Sequence, residues 1–142
     1  MMYKFFELLN KIYPAKDVHA HCDIPCGIYT PEPAHTAART VVKMVEKIQE
    51  ANPSDVHAIS RFTAVKEEHA QKCKQELLIL WTDYFKPEHL EMFPDLHDTF
   101  WKATKLCSKN KQEVKMEAAK ELLEATEFIS SMFEKAEEAK QK

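Results

Sequence analysis

The sequence predicts an all-α protein: an antiparallel four-helix bundle preceded by an irregular N-terminal segment. Three observations carry this. A single Gly in 142 residues, against a usual share of about 7%, leaves little for folds that turn on Gly-rich hairpins. Apolar residues recur three and four apart in four separate stretches, the signature of helices with one buried stripe. No alternating apolar–polar run lies between those stretches. The composition, 44% hydrophobic and 30% charged, fits one ordinary soluble domain. A net charge of −3 without a dense basic run excludes a nucleic-acid footprint. No stretch reaches the roughly 18 to 20 apolar residues of a membrane span, and mean hydropathy is −0.48.

Residues 1–20 form an amphipathic leader in which Glu7 and Lys11 interrupt any apolar core, so it makes a poor export signal. It reads as a bland N-terminal helix or as a removable segment. The first helical stripe, Ala34, Ala38, Val41, Val45 and Ile48, predicts a helix from Pro33 to about Ala51. Asn52-Pro53-Ser54-Asp55 breaks it, because the residue before a proline avoids the α region and Ser or Asp caps the next helix. The second stripe runs Phe62, Val65, His69, Cys73, Leu77, Leu80 and Tyr84 and ends before Lys86-Pro87. A third comes after Pro94 at Leu96, Phe100, Ala103 and Cys107. Asn110 with Glu113 resembles a capping box and predicts the start of helix four, whose stripe is Val114, Ala118, Leu122, Ala125, Ile129, Met132 and Ala136. Each stripe is buried only against the others, which is the bundle. The charged tail from Glu134 to Lys142 reads as a solvated, fraying end.

The four cysteines divide into two kinds. Cys73 and Cys107 sit on apolar stripes and read as core thiols. Cys22 and Cys26 lie before the first stripe, beside His21 and around Pro25, with the lone Gly27 directly after them. Several readings compete for this pair. A structural zinc site wants four ligands, and no second pair stands at finger spacing. A redox dithiol ordinarily has Cys-x-x-Cys spacing within a β/α fold, and a disulfide staple suits an exported protein. A fourth reading depends on a cut after Ala20. His21 would then offer an α-amine and an imidazole, Cys22 a thiolate and its amide nitrogen, and Cys26 a second thiolate. Planar N/S donor sets of that kind favour Ni(II) or Cu(II) over zinc.

His-Cys-Asp-Ile-Pro-Cys-Gly-Ile-Tyr at 21–29 resembles the nickel hook of the nickel superoxide dismutase family. The similarity extends to Trp81-Thr82-Asp83-Tyr84-Phe85-Lys86-Pro87 and Phe93-Pro94-Asp95-Leu96-His97, and so covers most of the chain after the leader. The resemblance implies three parts: a pro-segment (1–20) removed by a processing protease, a nickel hook (21–30) and a four-helix bundle (31–142). It implies one nickel ion per chain, held by His21, Cys22 and Cys26, and a homohexamer. The implied activity is dismutation of superoxide to dioxygen and hydrogen peroxide by a Ni(II)/Ni(III) cycle, with the His21 imidazole as axial ligand of the oxidised state. Asp23 and Tyr29 match positions that shape the hook and the substrate entrance, and Pro25 matches the proline of its turn. Backbone N–H groups and the Tyr29 hydroxyl are candidate proton donors or anion anchors.

One departure stands out. Members of that family carry a Glu on the first helix and an Arg on the second that connect to the axial histidine; here those positions read Ala37 and His69. The resemblance therefore implies a contact from His69 in place of a charged relay, although a His on an apolar stripe is more often a packed residue. His19, His35, His57, His89 and His97 read as surface or packing residues, and Tyr84 and Lys86 as a structural corner. Trp81, Phe85, Phe93, Phe100 and Trp101 exceed what one core needs, so some are expected to face partner chains. The poor export signal and thiol chemistry point to the cytoplasm, with no nucleic acid or membrane as partner. Two other classes of function stay open: a non-catalytic nickel or copper binding or transfer protein, and a helical interaction protein with an incidental Cys22–Cys26 disulfide.

Overall fold

The computed structural model describes residues 27–140. The leader 1–20 and the hook residues His21, Cys22, Asp23, Pro25 and Cys26 lie outside the described residues. Four long helices form the body of the chain: α1 (Glu32–Glu50), α2 (Val56–Ile79), α3 (Leu96–Gln112) and α4 (Met116–Lys140). Each packs on its sequence neighbour and α4 closes onto α1, the antiparallel up-and-down bundle that short connections enforce.

Local chemistry explains the helix ends. Pro33 stands in the first turn of α1, where its missing N–H costs nothing, and the Thr36 hydroxyl donates to Glu32 Oε1 at 2.7 Å. Ala51 leaves α1 in an extended conformation. Asp55 then caps α2, its Oδ1 accepting the Ala58 N–H at 3.0 Å. The predicted break at 52–55 is therefore realised, with helix ends within a residue or so of the expected ones at α1.

The end of α2 differs from a plain helix stop. Leu80–Tyr84 forms a π-helical turn, closed by the Phe85 N–H donating to Leu80 O at 3.0 Å. The wide turn, with an extended Phe85 after it, lets two consecutive rings point inward: Tyr84 is 5% and Phe85 7% exposed. Such turns recur at functional sites. A short 3-10 turn, Pro87–Leu90, then carries His89 back onto this pair, with the Lys86 N–H donating to His89 Nδ1 at 2.9 Å.

Two sequence expectations are corrected at the other helix ends. Asn110 does not cap helix four; it is buried inside the last turn of α3. Its Nδ2 donates to Leu106 O at 2.9 Å and to Ala118 O at 2.8 Å, so the amide ties α3 to α4 from within instead of starting a new helix. The break falls at 113–115, and Val114, expected on a buried stripe, is exposed there. The tail is also more than a fraying end. Helix α4 continues to Lys140, Ala136 is buried, and Glu137 engages Tyr84.

The core runs the length of the bundle, from Val41 and Val45 through Leu77, Phe100, Leu122 and Ile129. Cys73 and Cys107 are both fully buried within it as free thiols, as expected. Trp81 stacks on Phe100 with centroids 5.9 Å apart, and Phe85 meets Phe100 at 5.4 Å. These rings belong to one core; Trp101 (52%) and Phe128 (57%) are the large rings left exposed.

Candidate metal centre

The described part of the N-terminal segment begins at Gly27, whose φ of +71° is a conformation that L side chains rarely adopt. Nothing lies within 4 Å of the position a Cβ would take, so the glycine answers a backbone requirement rather than a crowded one. Ile28, Tyr29 and Thr30 are half-buried as the chain runs into α1. Tyr29 packs against the bundle core, its ring meeting the edge of Tyr84 at 6.1 Å and 63°. The chain that leaves the cysteine pair is thus seated on the π-turn of α2.

Tyr84 is the most heavily contacted ring at this end. Phe133 of α4 packs on it at 4.4 Å, Phe85 at 4.8 Å, and the His89 ring lies parallel to it at 5.8 Å. Its hydroxyl donates to Glu137 Oε1 at 2.6 Å. Lys140 donates to the same carboxylate oxygen at 2.6 Å and sits 4.5 Å from the Tyr84 ring centroid. Burial first, then the bond to Glu137, pushes the Tyr84 phenol well above its ordinary range. Tyr84 therefore keeps its proton. The Lys140 bond, then the phenol, holds Glu137 below the usual carboxylate range. Burial lowers the pKa of His89, consistent with its Nδ1 acting as an acceptor toward Lys86 N–H. Reading Tyr84 as a structural corner is right as far as it goes, but the sequence carried no sign of its partners Glu137 and Lys140, some fifty residues away.

His69 is half-buried on α2, and its Nδ1 lies 2.9 Å from Val65 O. A carbonyl only accepts, so Nδ1 carries the proton and the lone pair is on Nε2. Ala37, the other altered position, is buried on α1. Of the remaining histidines, His35 Nδ1 meets the Thr126 hydroxyl at 3.3 Å, His97 Nδ1 accepts from Trp81 Nε1 at 2.9 Å, and His57 is exposed. Packing and surface roles hold for these; His19 lies outside the described residues.

Among the described residues no group of three or more His, Cys, Asp or Glu is placed to hold a metal. The buried thiols are poor candidates: their mutual contact and then burial push Cys73 far above the normal thiol range, where the thiolate a metal requires is suppressed. The described residues thus offer no ligand set of their own; the donors the sequence implies, His21, Cys22 and Cys26, lie outside them. That donor set, with two soft sulfurs and nitrogens, suits nickel or copper.

The fold defines a class: an antiparallel four-helix bundle with no metal cluster among its described residues. The model of the nickel-containing superoxide dismutase family matches residues 16–137, a stretch that includes the whole of 21–29. The superoxide dismutase [Ni] of Streptomyces seoulensis is 36% identical over 127 residues, 89% of this chain and 95% of that protein. The counterpart from Streptomyces coelicolor is 42% identical over 91 residues, 63% of this chain and 68% of that one. A crystal structure of nickel-containing superoxide dismutase, its nickel ligation that of the oxidised state, superposes with a TM-score of 0.78 at 35% identity; the match covers 83% of this chain and 99% of that one. A native structure of nickel superoxide dismutase gives 0.78 at 33%, over 82% and 99%. The chain belongs to the nickel-containing superoxide dismutase family, and is an oxidoreductase of the superoxide dismutase class.

Proposed function

We propose that this chain is cut after Ala20 and that His21, Cys22 and Cys26 then hold one nickel ion at which superoxide is disproportionated. The observation that carries the reading is the family match running through 21–29, in a chain whose Tyr29 is seated on the bundle. The solved relative is covered over 99% of its length by 83% of this chain, so the part of this chain outside that match is comparable in size to the leader.

The chemistry requires the cut. Before it, the His21 nitrogen is an amide without a lone pair to give; after it, that nitrogen is an amine beside two sulfurs. Nickel, when bound, supplies a one-electron couple between Ni(II) and Ni(III), made accessible by anionic sulfur donors. One superoxide gives up an electron and leaves as dioxygen. A second takes that electron and two protons and leaves as hydrogen peroxide. The chain's own residues bind, guard and orient. Cys22 and Cys26 give the soft anionic donors and His21 the amine and imidazole. Asp23 and Pro25 shape the turn, and Gly27 supplies the positive φ that ends it. Tyr29 narrows the entrance, which limits attack of peroxide on the sulfurs. His69, whose Nδ1 is engaged by Val65 O, is the residue that would contact His21 through Nε2 in place of the family's charged relay. The protons of the second half-reaction come from solvent, the Tyr29 hydroxyl or hook N–H groups.

The same reading gives a homohexamer, with exposed Trp101 and Phe128 as rings suited to contacts between chains. It gives a cytoplasmic location and no nucleic-acid or membrane partner; no described helix is long and apolar enough to cross a membrane. Intact mass, metal analysis and superoxide decay on one purified sample test the proposal. Loss of residues 1–20, one nickel per chain and rapid decay are expected. A full-length, metal-free product that is active refutes it, and a cut, nickel-loaded but inactive one makes the chain a nickel carrier.

A further inference from the structure

We propose that Glu137, held in place by Lys140, is a positioning residue for the substrate entrance: it fixes the Tyr84 hydroxyl, and the Tyr84 ring in turn fixes Tyr29. The proposal rests on the reading of the hook at 21–29 as the nickel site. Its geometry does not. Three elements converge on one ring. Phe133 from α4 and His89 from the 3-10 turn pack against Tyr84, and Glu137 ties its hydroxyl at 2.6 Å. A phenol packed on its ring and bonded at its oxygen cannot swing, so its edge is a fixed surface for Tyr29.

The charges are arranged to leave the substrate undisturbed. A lone carboxylate near the path of an anion would repel it. Lys140 binds the same oxygen of Glu137 at 2.6 Å and cancels that field while holding the carboxylate against the phenol. The groups facing Tyr84 are Glu137 and Lys140 from α4, His89 from the 3-10 turn and Tyr29 from the N-terminal segment. Helix α4 is itself anchored there by Met132 and Ala136 in the core, so the clamp joins the last helix to the first described residues.

After removal of 1–20 the chain retains two tyrosines, Tyr29 and Tyr84, so comparing the near-ultraviolet phenolate titration with that of Tyr84→Phe isolates the Tyr84 contribution. In nickel-loaded mature protein, Glu137→Ala is expected to lower turnover about tenfold at unchanged nickel content, as loss of a charge-assisted hydrogen bond allows. It should also move the Tyr84 titration to lower pH. Glu137→Gln keeps an acceptor oxygen and should restore turnover to within about threefold of the parent. Lys140→Met exposes the carboxylate's field, so its loss of turnover should shrink as salt rises. Parent-like turnover and titration in Glu137→Ala, or equal losses in the Ala and Gln variants, overturn the proposal. If the Ala variant fails to fold, the Gln and Lys140→Met responses decide it. The titration is also read on metal-free protein, so an inactive parent would refute the reading of the hook as a dismutation site while the Tyr84–Glu137 coupling is still decided.

Discussion

Replacing Lys66 by Met tests how the α3–α4 corner is held. Lys66 is 1% exposed, and among the described residues no carboxylate is bonded to it. Its ammonium donates to Asn110 O, to Lys111 O at 3.2 Å and to Glu113 O at 3.1 Å, carbonyls at the C-terminal end of α3 where the helix dipole favours a cation. Burial lowers its pKa, so dehydration opposes these bonds. Hydrogen bonds to a charged group contribute about 1.5–3 kcal/mol each, and burying one ion costs several kcal/mol. Three bonds at the middle of that range contribute about 6–7 kcal/mol, and a dehydration cost of about 4 kcal/mol leaves roughly 2–3 kcal/mol. Met fills nearly the same volume, which keeps the cavity contribution small. Lys66→Met should lower the melting temperature of the metal-free chain by about 6–12 °C, monitored by far-ultraviolet circular dichroism. A melt within about 1 °C of the parent would mean that the ammonium's dehydration cancels its bonds and that water serves those carbonyls equally well.

Alkylation of folded, metal-free protein should label Cys22 and Cys26 but spare Cys73 and Cys107, which are fully buried, until denaturant is added; labelling of either core thiol in the native state contradicts the packing. Acid should destabilise the Tyr84 end in two stages. His89 has a folded pKa below its ordinary 6.5, so the unfolded chain binds more protons and stability falls as pH drops through that value. Glu137, held below its ordinary 4.5, contributes stability above that value and loses it as pH falls through its lower folded pKa. Melting temperatures should thus decline from about pH 6.5 and more steeply below about 4.5; a flat acid limb refutes the assignment. Cys22→Ser or Cys26→Ser should abolish dismutation by removing a soft donor, measured as superoxide decay, and full activity in either variant rejects the ligand set. His69→Ala should lower turnover and alter the imidazole-bound Ni(III) resonance; an unchanged signal removes His69 from the site.

The helices were legible because burial writes a period into the sequence. Val41, Val45, Cys73, Leu77, Phe100 and Leu122 stand at helical spacing, and all are buried. What periodicity misses is polar chemistry that works across sequence distance. Asn110 resembles a helix start because Asn caps helices, yet its amide is satisfied by Leu106 and Ala118 carbonyls. Lys66 looks like a solvated charge on α2, and Glu137 like part of a solvated tail. Each is explained by a partner forty or more residues away. The reverse holds for the candidate site: Cys22, Cys26 and Gly27 were conspicuous because Pro, Gly and paired thiols outside any apolar stripe have no packing explanation.

This division reflects where each part obtains its stability. The bundle closes its core with aliphatic and aromatic side chains, and no metal cluster stands among its described residues. The hook sequence 21–26 carries, by contrast, a donor set that a metal would organise. Between them stand Tyr29 and Tyr84, placed by the π-turn that lets Tyr84 and Phe85 both face inward. A straight continuation of α2 would carry one of those rings out of the core and leave Tyr29 without its edge contact. The irregular turn is therefore the step by which the bundle positions Tyr29, the ring that follows the proposed hook.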